Sequence, residues 1–278
     1  MLKFFSHPQL RKNSARTLLV LQPLGTLFVF LLVSSFPAKA LPQNEANTPR
    51  TLADWCLNKA KESVQTQHTV DVLLQEAGTQ DCHQASKLLS TRTELSLSNN
   101  QIADLKPLST LTNLTNLYLN YNQIADIKPL STLTKLNIFW VNDNQIADLK
   151  PLSSLTNLTN LSLGNNQIAD LKPLSNLTNL ASLSLDNNQI ADLKPLSNLT
   201  KVTQLYLDNN QIADLKPLSN LTNLTYLWLH NNQIADLKPL SNLTNLTQLF
   251  LDNNQTLTDK TCPVQPESIC GFVPLPAP

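Results

Sequence analysis

The sequence has little glycine and none of the glycine-containing or nucleophilic motifs on which many enzymes depend. Only 4 of its 278 residues are glycine, and no glycine-rich stretch is present that could cradle a phosphate. No serine, histidine and aspartate are grouped as in a hydrolase, and no basic stretch with aromatics suggests a nucleic-acid groove. These absences predict a protein that is not an enzyme, needs no cofactor and binds no nucleic acid.

Acidic residues are absent from the first 40 positions, which makes the overall charge balance misleading. The whole chain has 20 basic and 20 acidic residues, but five of the basic ones lie within residues 1–40. The remainder has 15 basic against 20 acidic residues, a net charge of −5. A mildly acidic body gives no electrostatic reason to expect nucleic acid or an anionic membrane surface as a partner.

Residues 1–40 are typical of a secretory signal. Basic residues come first, the apolar stretch Leu18–Phe36 follows, and Ala38-Lys39-Ala40 offers small residues for cleavage. An uncleaved membrane anchor is the alternative, but Pro23 and Gly25 interrupt the stretch and leave it short of the roughly 20 residues that span a bilayer. We therefore expect an exported protein (secreted, periplasmic or on the cell surface) with no stable membrane span after cleavage.

A 22-residue repeat occupies most of the remaining chain. Each unit carries the pattern L-x-L-x-x-N, and the asparagine of this pattern recurs without a shift in register. It is found at Asn100, Asn122, Asn144, Asn166, Asn188, Asn210, Asn232 and Asn254. A period in this range with this pattern is typical of a leucine-rich repeat. Such units bury their leucines only by stacking on one another, so the sequence predicts a solenoid.

One unit is enough to predict the path of the chain. The leucines of Leu117-Tyr118-Leu119 alternate with an outward position, as in a half-buried strand. Asn122 follows at the turn, where its amide can bond to backbone groups that the bend leaves unpaired. Repeated eight times, these asparagines would form a ladder along the solenoid.

The return path of the unit is predicted to contain short 3₁₀ turns. From Ile124 to Leu136 an apolar residue recurs every third position, a spacing that suits 3₁₀ turns better than an α-helix. Pro129 and its mates in the other units agree with this, because proline is poor inside helices and central strands. The predicted fold is an α/β solenoid: a horseshoe with a parallel β-sheet on the concave face and 3₁₀ turns on the convex face.

The segments that flank the repeats differ from them and are predicted to be caps. Asp54–Val64 and His68–Ala77 have helical patterns, and the second ends at Gly78, a typical C-terminal helix residue. A cap is required because the first strand would otherwise expose its backbone edge and its leucines. The predicted organisation is a signal at 1–40, a disordered leader at 41–50, a helical N-terminal cap at 51–92, eight repeats at 93–254, and a C-terminal cap with a proline-rich tail at 255–278.

Four cysteines, Cys56, Cys82, Cys262 and Cys270, lie in the two predicted caps. Their spacing fits no common zinc site, and an even number in an exported chain favours disulfides over four reduced thiols. Eight strands about 4.8 Å apart would separate the caps by roughly 34 Å, whereas a disulfide needs Cα atoms within about 7 Å. We therefore expect the pairs Cys56–Cys82 and Cys262–Cys270.

Variation between the units is concentrated at two outward positions of the strand. The position between the two leucines reads Ser96, Tyr118, Trp140, Ser162, Ser184, Tyr206, Trp228 and Phe250. The position after the second leucine reads Ser98, Asn120, Asn142, Gly164, Asp186, Asp208, His230 and Asp252. We call these series the inner and the outer column. Strand alternation points both away from the leucine core.

These columns are the candidate binding site. The predicted ligand-binding residues are the aromatics Tyr118, Trp140, Tyr206, Tyr226, Trp228 and Phe250, with Asp186, Asp208, His230 and Asp252 giving polar selectivity. Exposed rows of tyrosine and tryptophan mark interaction surfaces. The alternative is that the aromatics only stabilise the sheet by stacking on one another. A metal or general-base role for His230 is disfavoured, because no second histidine or nucleophile accompanies it.

In L-x-L-x-x-N-Q-I-A-D-L-K-P-L-S-N-L-T-N-L the repeat resembles the 22-residue leucine-rich repeat of bacterial internalins. The resemblance implies a curved solenoid used for protein recognition by secreted or surface proteins. No immunoglobulin-like segment or wall-sorting signal follows the repeats in this sequence, so the invasion role of internalins is not carried over. The function we expect is an exported, non-enzymatic module that binds a protein through its concave face. The alternatives are a glycan-binding module and a structural envelope protein without a discrete ligand.

Overall fold

The computed structural model describes residues 50–272 of the protein. The predicted secretory signal, nearly all of the predicted leader and the end of the proline-rich tail lie outside the described residues. Within residues 50–272 no helix is both long enough and apolar enough to cross a membrane.

The described chain forms one open sheet of nine parallel strands in sequential order. Along the first eight strands each residue pairs with the residue 22 positions later, as Leu95 does with Leu117, and the last pair of strands is offset by 21 residues, from Leu249 to Cys270. This register keeps leucine beside leucine on one face and the outward columns in line on the other. The strands are β1 Glu94–Ser96, β2 Asn116–Tyr118, β3 Ile138–Trp140, β4 Asn160–Ser162, β5 Ser182–Ser184, β6 Gln204–Tyr206, β7 Tyr226–Trp228, β8 Gln248–Phe250 and β9 Cys270–Gly271.

The core is a continuous stack of apolar side chains between the sheet and the return path. Each unit contributes its strand leucines and the residues that recur at intervals of three. In the second unit these are Leu117, Leu119, Ile124, Ile127, Leu130, Leu133 and Leu136, and each is at most 1% exposed. The same positions are buried in the neighbouring units, so every turn covers the apolar face of the next.

The return path contains the predicted 3₁₀ turns, each built on Lys-Pro-Leu as in Lys172–Leu174. The aspartate two positions earlier stabilises the turn: Asp170 Oδ1 accepts a hydrogen bond from the backbone N–H of Lys172 at 2.9 Å. Equivalent bonds occur in all seven units from Asp104 to Asp236. Each aspartate thus forms an Asx turn that leads the chain into the 3₁₀ turn.

The N-terminal cap has three α-helices where two were predicted. They are α1 Leu52–Leu57, α2 Val64–Ala77 and α3 Cys82–Ser90. The prediction of a first helix over 54–64 is wrong because a reciprocal capping box starts α1 at Thr51 and Ser63 caps a new helix. Gly78 ends α2 with a φ of 68°, as expected. Helix α3 was not predicted, although its N-cap Asp81 is a recognisable start signal.

Helix α2 is fixed to the first repeat by polar contacts. The hydroxyl of Thr66 donates to Asp104 Oδ2 at 2.6 Å, and the hydroxyl of Thr69 donates to the Asp104 carbonyl at 2.8 Å. Both threonines are buried. His68 Nε2 lies 2.5 Å from the carbonyl of Asn100. These contacts fix α2 over the open end of the core, although Trp55 Nε1 in α1 is buried without a hydrogen-bond partner among the described residues.

Each cap contains one of the expected disulfides. Cys56 and Cys82 join α1 to α3 with a Cα–Cα distance of 5.6 Å. Cys262 and Cys270 are 5.8 Å apart, and the second of them begins β9. This short strand was not predicted from sequence. It pairs with β8, and the carbonyl of Gly271 accepts from Leu251 N at 2.7 Å, so the last repeat has a covered edge.

Candidate functional site on the concave face

The face of the sheet away from the leucine core, which is the concave face of the horseshoe, carries both outward columns. In-register pairing sets Tyr118 beside Trp140 and Trp228 beside both Tyr206 and Phe250. Side chains of one column therefore lie about 4.8 Å apart from strand to strand. This spacing allows neighbouring rings to touch.

The first aromatic cluster consists of Tyr118 and Trp140. Their rings pack edge to face, with centroids 5.1 Å apart and planes at 78°. Trp140 is 42% exposed, and its next neighbour in the column is Ser162, which is too small to cover the ring. Trp140 therefore offers the protruding apolar surface of this cluster.

Tyr121 lies beside the first aromatic cluster in a strained backbone conformation. Its φ is 57°, and it is 59% exposed. The equivalent position holds asparagine in six of the units, namely at Asn99, Asn165, Asn187, Asn209, Asn231 and Asn253, all with positive φ. Asparagine tolerates this left-handed region, whereas a bulky residue is costly there. The one other unit without asparagine at this position is the adjacent one, which has Asp143 with a φ of 56°.

The second aromatic cluster consists of Tyr206, Trp228 and Phe250. Trp228 packs edge to face on both neighbours, 5.2 Å from Tyr206 and 5.1 Å from Phe250. The three rings and Tyr226 are half-buried. The sequence predicted exposed aromatics, and the rings of this cluster are only partly exposed because in-register neighbours cover part of each ring. The outer edges of the rings remain on the concave surface.

The two aromatic clusters are separated by a shallow gap formed by serine and glycine. Ser162 and Ser184 occupy the inner column there, and Gly164 occupies the outer column. A Cβ at Gly164 would lie 2.6 Å from Asp186 Oδ1, so the glycine makes room for that carboxylate. Asn142 holds the same region from the other side, because its Oδ1 accepts from Gly164 N at 2.7 Å. Sequence analysis did not identify Gly164 or Asn142 as structural residues.

The predicted polar residues differ in their accessibility. Asp186 accepts hydrogen bonds from the Ser184 hydroxyl and from Asn187 Nδ2. Asp208 and Asp252 are buried, 7% and 8% exposed, so they are not the freely exposed contacts that were expected. The close spacing of the outer column, in which each side chain lies against those of adjacent strands, explains their burial.

Asp208 is the least satisfied of these groups. His230 Nε2 lies 3.6 Å from Asp208 Oδ2, beyond the length of a good charged hydrogen bond. Oδ1 of Asp208 and Nε1 of Trp228 are buried and have no hydrogen-bond partner among the described residues. Burial raises the pKa of the Asp208 carboxyl above its usual value. His230 and the backbone N–H of Asp208 itself oppose the rise, and the charges of Asp186 and Asp252 add to it.

The eight repeat asparagines lie at the edge of this surface and hold the turns together. Asn210 is representative: its Oδ1 accepts from Ile190 N at 2.9 Å, and its Nδ2 donates to the carbonyls of Leu185, Leu207 and Asp208. The pattern recurs from Asn122 to Asn254. At Asn100, in the first unit, the amide makes a single described bond, from Nδ2 to the Ser98 carbonyl.

The site geometry suits contact with a large surface rather than chemistry on a small molecule. Within residues 50–272, no group of three or more His, Cys, Asp or Glu side chains is placed to hold a metal ion. The aromatic clusters extend over five strands, with acidic groups along one side. Such an arrangement is typical of a recognition surface with aromatic anchors and a polar border.

Comparisons with known proteins agree with the repeat architecture. A profile of leucine-rich repeats, in two copies, matches residues 93–133, 112–154, 132–176, 178–220 and 222–261, more than half of the chain. The chain therefore belongs to the leucine-rich repeat family. No curated protein sequence matches it significantly.

Solved structures identify the type of repeat. Internalin C2 of Listeria monocytogenes is 33% identical with a TM-score of 0.67, over 74% of this chain and 91% of that one. A second internalin of the same organism is also 33% identical, with a TM-score of 0.66 over 77% and 62% of the two chains. A leucine-rich repeat protein of Leptospira interrogans is 28% identical, with a TM-score of 0.59 over 68% and 50%. The protein is thus an internalin-like bacterial leucine-rich repeat protein, and this fold is typical of protein-interaction modules.

Proposed function

We propose that this protein is an exported, non-enzymatic recognition module that binds another protein through the concave face of its sheet. One observation carries the proposal: the units are nearly identical in sequence except at the outward strand positions, and these positions hold two aromatic clusters. A stabilising role alone would favour the same side chain in every unit, since the strand backbone and the leucine core repeat from unit to unit. The contrast between serines and aromatics along one column instead suggests a shaped contact surface.

The first aromatic cluster would provide the protruding anchor. Trp140 is more than a third exposed beside the small Ser162, and Tyr121 occupies its position in this unit in spite of its backbone strain.

The second aromatic cluster would provide preorganised contacts. Half-buried aromatics such as Trp228 lose little conformational freedom on binding, because their neighbours already hold them in place. Rigid tryptophan and tyrosine anchors of this kind dominate binding energy at many protein interfaces.

Export is part of the proposal. The two disulfides support it, because such bonds persist in oxidising compartments outside the cytoplasm. The beginning of the chain has the composition of a secretory signal. Both features are compatible with a secreted, periplasmic or surface location, as in the internalins.

The experiment is an affinity capture with matched variants. The purified protein, with both disulfides formed, is offered the envelope and secreted proteins of its own host. Parallel samples carry Trp140→Ala with Trp228→Ala, or Lys172→Ala on the opposite side of the solenoid as a control. A single protein held by the wild type and the control, and lost with the tryptophan variant, is the expected result.

Two other results would contradict the proposal. Capture that is the same with and without the tryptophans would place binding elsewhere on the molecule. If no protein binds but glycans do, and that binding is insensitive to salt, the aromatic columns are a sugar-stacking surface instead.

A further inference from the structure

Two buried polar atoms, one on Trp228 of the second aromatic cluster and one on Asp208 in the outer column, are left unpaired by the described part of the protein. Asp208 Oδ1 is an acceptor and Trp228 Nε1 is a donor, and within residues 50–272 neither has a partner. A buried polar group without a partner costs about 1–3 kcal/mol, and folded proteins keep few of them. Two in adjacent units on one exposed face therefore suggest that a ligand supplies the missing bonds.

The charge around these atoms indicates what the ligand must carry. Asp186, Asp208 and Asp252 lie in the outer column within four successive units, with His230 between the last two. Neither column holds a lysine or arginine, and the basic side chain beside Asp208 is that of His230, whose Nε2 lies 3.6 Å from Asp208 Oδ2. Burial raises the pKa of the Asp208 carboxyl, because its charged form is poorly solvated there. A positive group beside the carboxyl would stabilise the charged form.

The aromatic rings add a second reason to expect a cation. Trp228 lies between Tyr206 and Phe250 at ring distances near 5 Å, and 6.2 Å from the ring of His230. Tryptophan is the best aromatic partner for a cation, and the attraction grows when the site is partly desolvated. The unpaired Trp228 N–H requires an acceptor as well. A basic side chain on a peptide backbone brings both a cation and carbonyl acceptors.

We propose that Asp208, Trp228 and His230 form a subsite for a basic side chain, arginine or lysine, of the protein partner. The inference rests on the proposed function, because it takes the concave face as the binding surface and names one chemical feature of what binds there. Asp208 would accept from the cation, Trp228 would contact it and donate to a neighbouring carbonyl, and His230 would border the subsite. Trp140, more than two strands away, would serve a different part of the partner.

The subsite can be tested without the partner. The sequence has 3 tryptophans, so an NMR spectrum of the indole N–H groups reports separately on Trp228 once Trp228→Phe has assigned its signal. The probes are N-acetyl-arginine methylamide and its neutral isostere, N-acetyl-citrulline methylamide. We expect saturable movement of the Trp228 signal with arginine, with citrulline binding at least about tenfold more weakly. The Trp140 signal should stay in place.

Two substitutions complete the experiment. Asp208→Asn keeps the shape of the side chain and should weaken arginine binding by about tenfold or more. Asp214→Asn, on the return path of the same unit, is the matched control, since its Oδ1 already accepts from the backbone N–H of Lys216, and it should change arginine binding by less than about threefold. Thermal unfolding confirms that both variants fold.

The outcomes separate this inference from the proposed function. Equal binding of arginine and citrulline, unchanged binding by Asp208→Asn, or no movement of the Trp228 signal up to the solubility limit of the probe would each overturn the subsite. None of these would affect capture of a protein through Trp140. Conversely, arginine binding that depends on Asp208 would stand even if the capture experiment returned no partner.

Discussion

The asparagine ladder allows a quantitative prediction, because the same substitution can be made at a ladder position with many hydrogen bonds and at one with few. Asn210 is 8% exposed, and its amide makes four hydrogen bonds across two turns. In Asn210→Ala the carbonyls of Leu185 and Leu207 keep a second donor from the adjacent ladder residues. The N–H of Ile190 is buried, and without the Asn210 side chain it has no hydrogen-bond acceptor in the described chain.

The expected cost follows from this count. One orphaned buried N–H costs about 1–3 kcal/mol, and each lost but replaceable bond about 0.5–1.5 kcal/mol. One orphaned N–H and three replaceable bonds sum to at least about 2.5 kcal/mol, so we expect Asn210→Ala to lower the free energy of unfolding by about 3 kcal/mol or more. The same change at Asn100, whose amide makes one described bond, should cost about 1 kcal/mol or less.

Urea unfolding followed by circular dichroism measures both variants against the wild type. In a domain of this size about 3 kcal/mol corresponds to a fall in Tm of roughly 6–12 °C. Hydrogen exchange adds a local test, because the Ile190 amide should lose protection in Asn210→Ala only. Equal destabilisation by the two substitutions, or unchanged protection of Ile190, would refute the ladder reasoning. A change in the urea m-value would show that the array no longer unfolds as one unit.

Three further predictions concern single features of the fold. Tyr121→Asn should raise the free energy of unfolding by about 1 kcal/mol, because it relieves the left-handed backbone strain; a loss of stability in a thermal melt would show that the ring contributes more than the strain costs. Gly164→Ala should lower the free energy of unfolding by about 1–2 kcal/mol, because the new Cβ displaces the Asp186 carboxylate. When Asp186→Ala is also present, most of that loss of stability should disappear. A loss that persists would place the clash elsewhere. Replacing both cysteines of Cys56–Cys82 by serine should lower the free energy of unfolding by about 3–4 kcal/mol, and the same change at Cys262–Cys270 should lower it by about 2–3 kcal/mol. The first pair has the larger effect because it closes the longer loop, with a sequence separation of 26 against 8. The reverse order in denaturant melts would contradict this account.

The concave surface could be located from the sequence, but the exposure of its individual side chains could not. Strand alternation alone assigned Tyr118, Trp140 and Trp228 to the outward face, and the 22-residue register placed each beside its mates. Whether an outward side chain is exposed depends on what its neighbours cover. Trp140 borders a serine and protrudes, whereas Trp228 has a ring on either side and is half-buried.

Local signals were sufficient where a single residue controls the backbone, and they were incomplete in the caps. Gly78 marked the end of α2 correctly, but the break at Ser63 and the helix after Asp81 were overlooked although both carry N-cap side chains. Strand β9 has only two residues, Cys270 and Gly271, and no strand pattern of its own. It forms because the last repeat presents an unpaired edge, which is a tertiary cause.

The sequence by itself determined the repeat, its period, the side of each leucine and the pairing of the cysteines, because all of these follow from spacing along the chain. The tertiary structure alone decided which polar groups are satisfied. Asp186 finds partners in Ser184 and Asn187, while Asp208, one unit later in the same column, leaves an oxygen buried and unpaired. Hydrogen-bond satisfaction depends on distances of a few tenths of an ångström between side chains on the folded surface, and no pattern in the sequence specifies these distances.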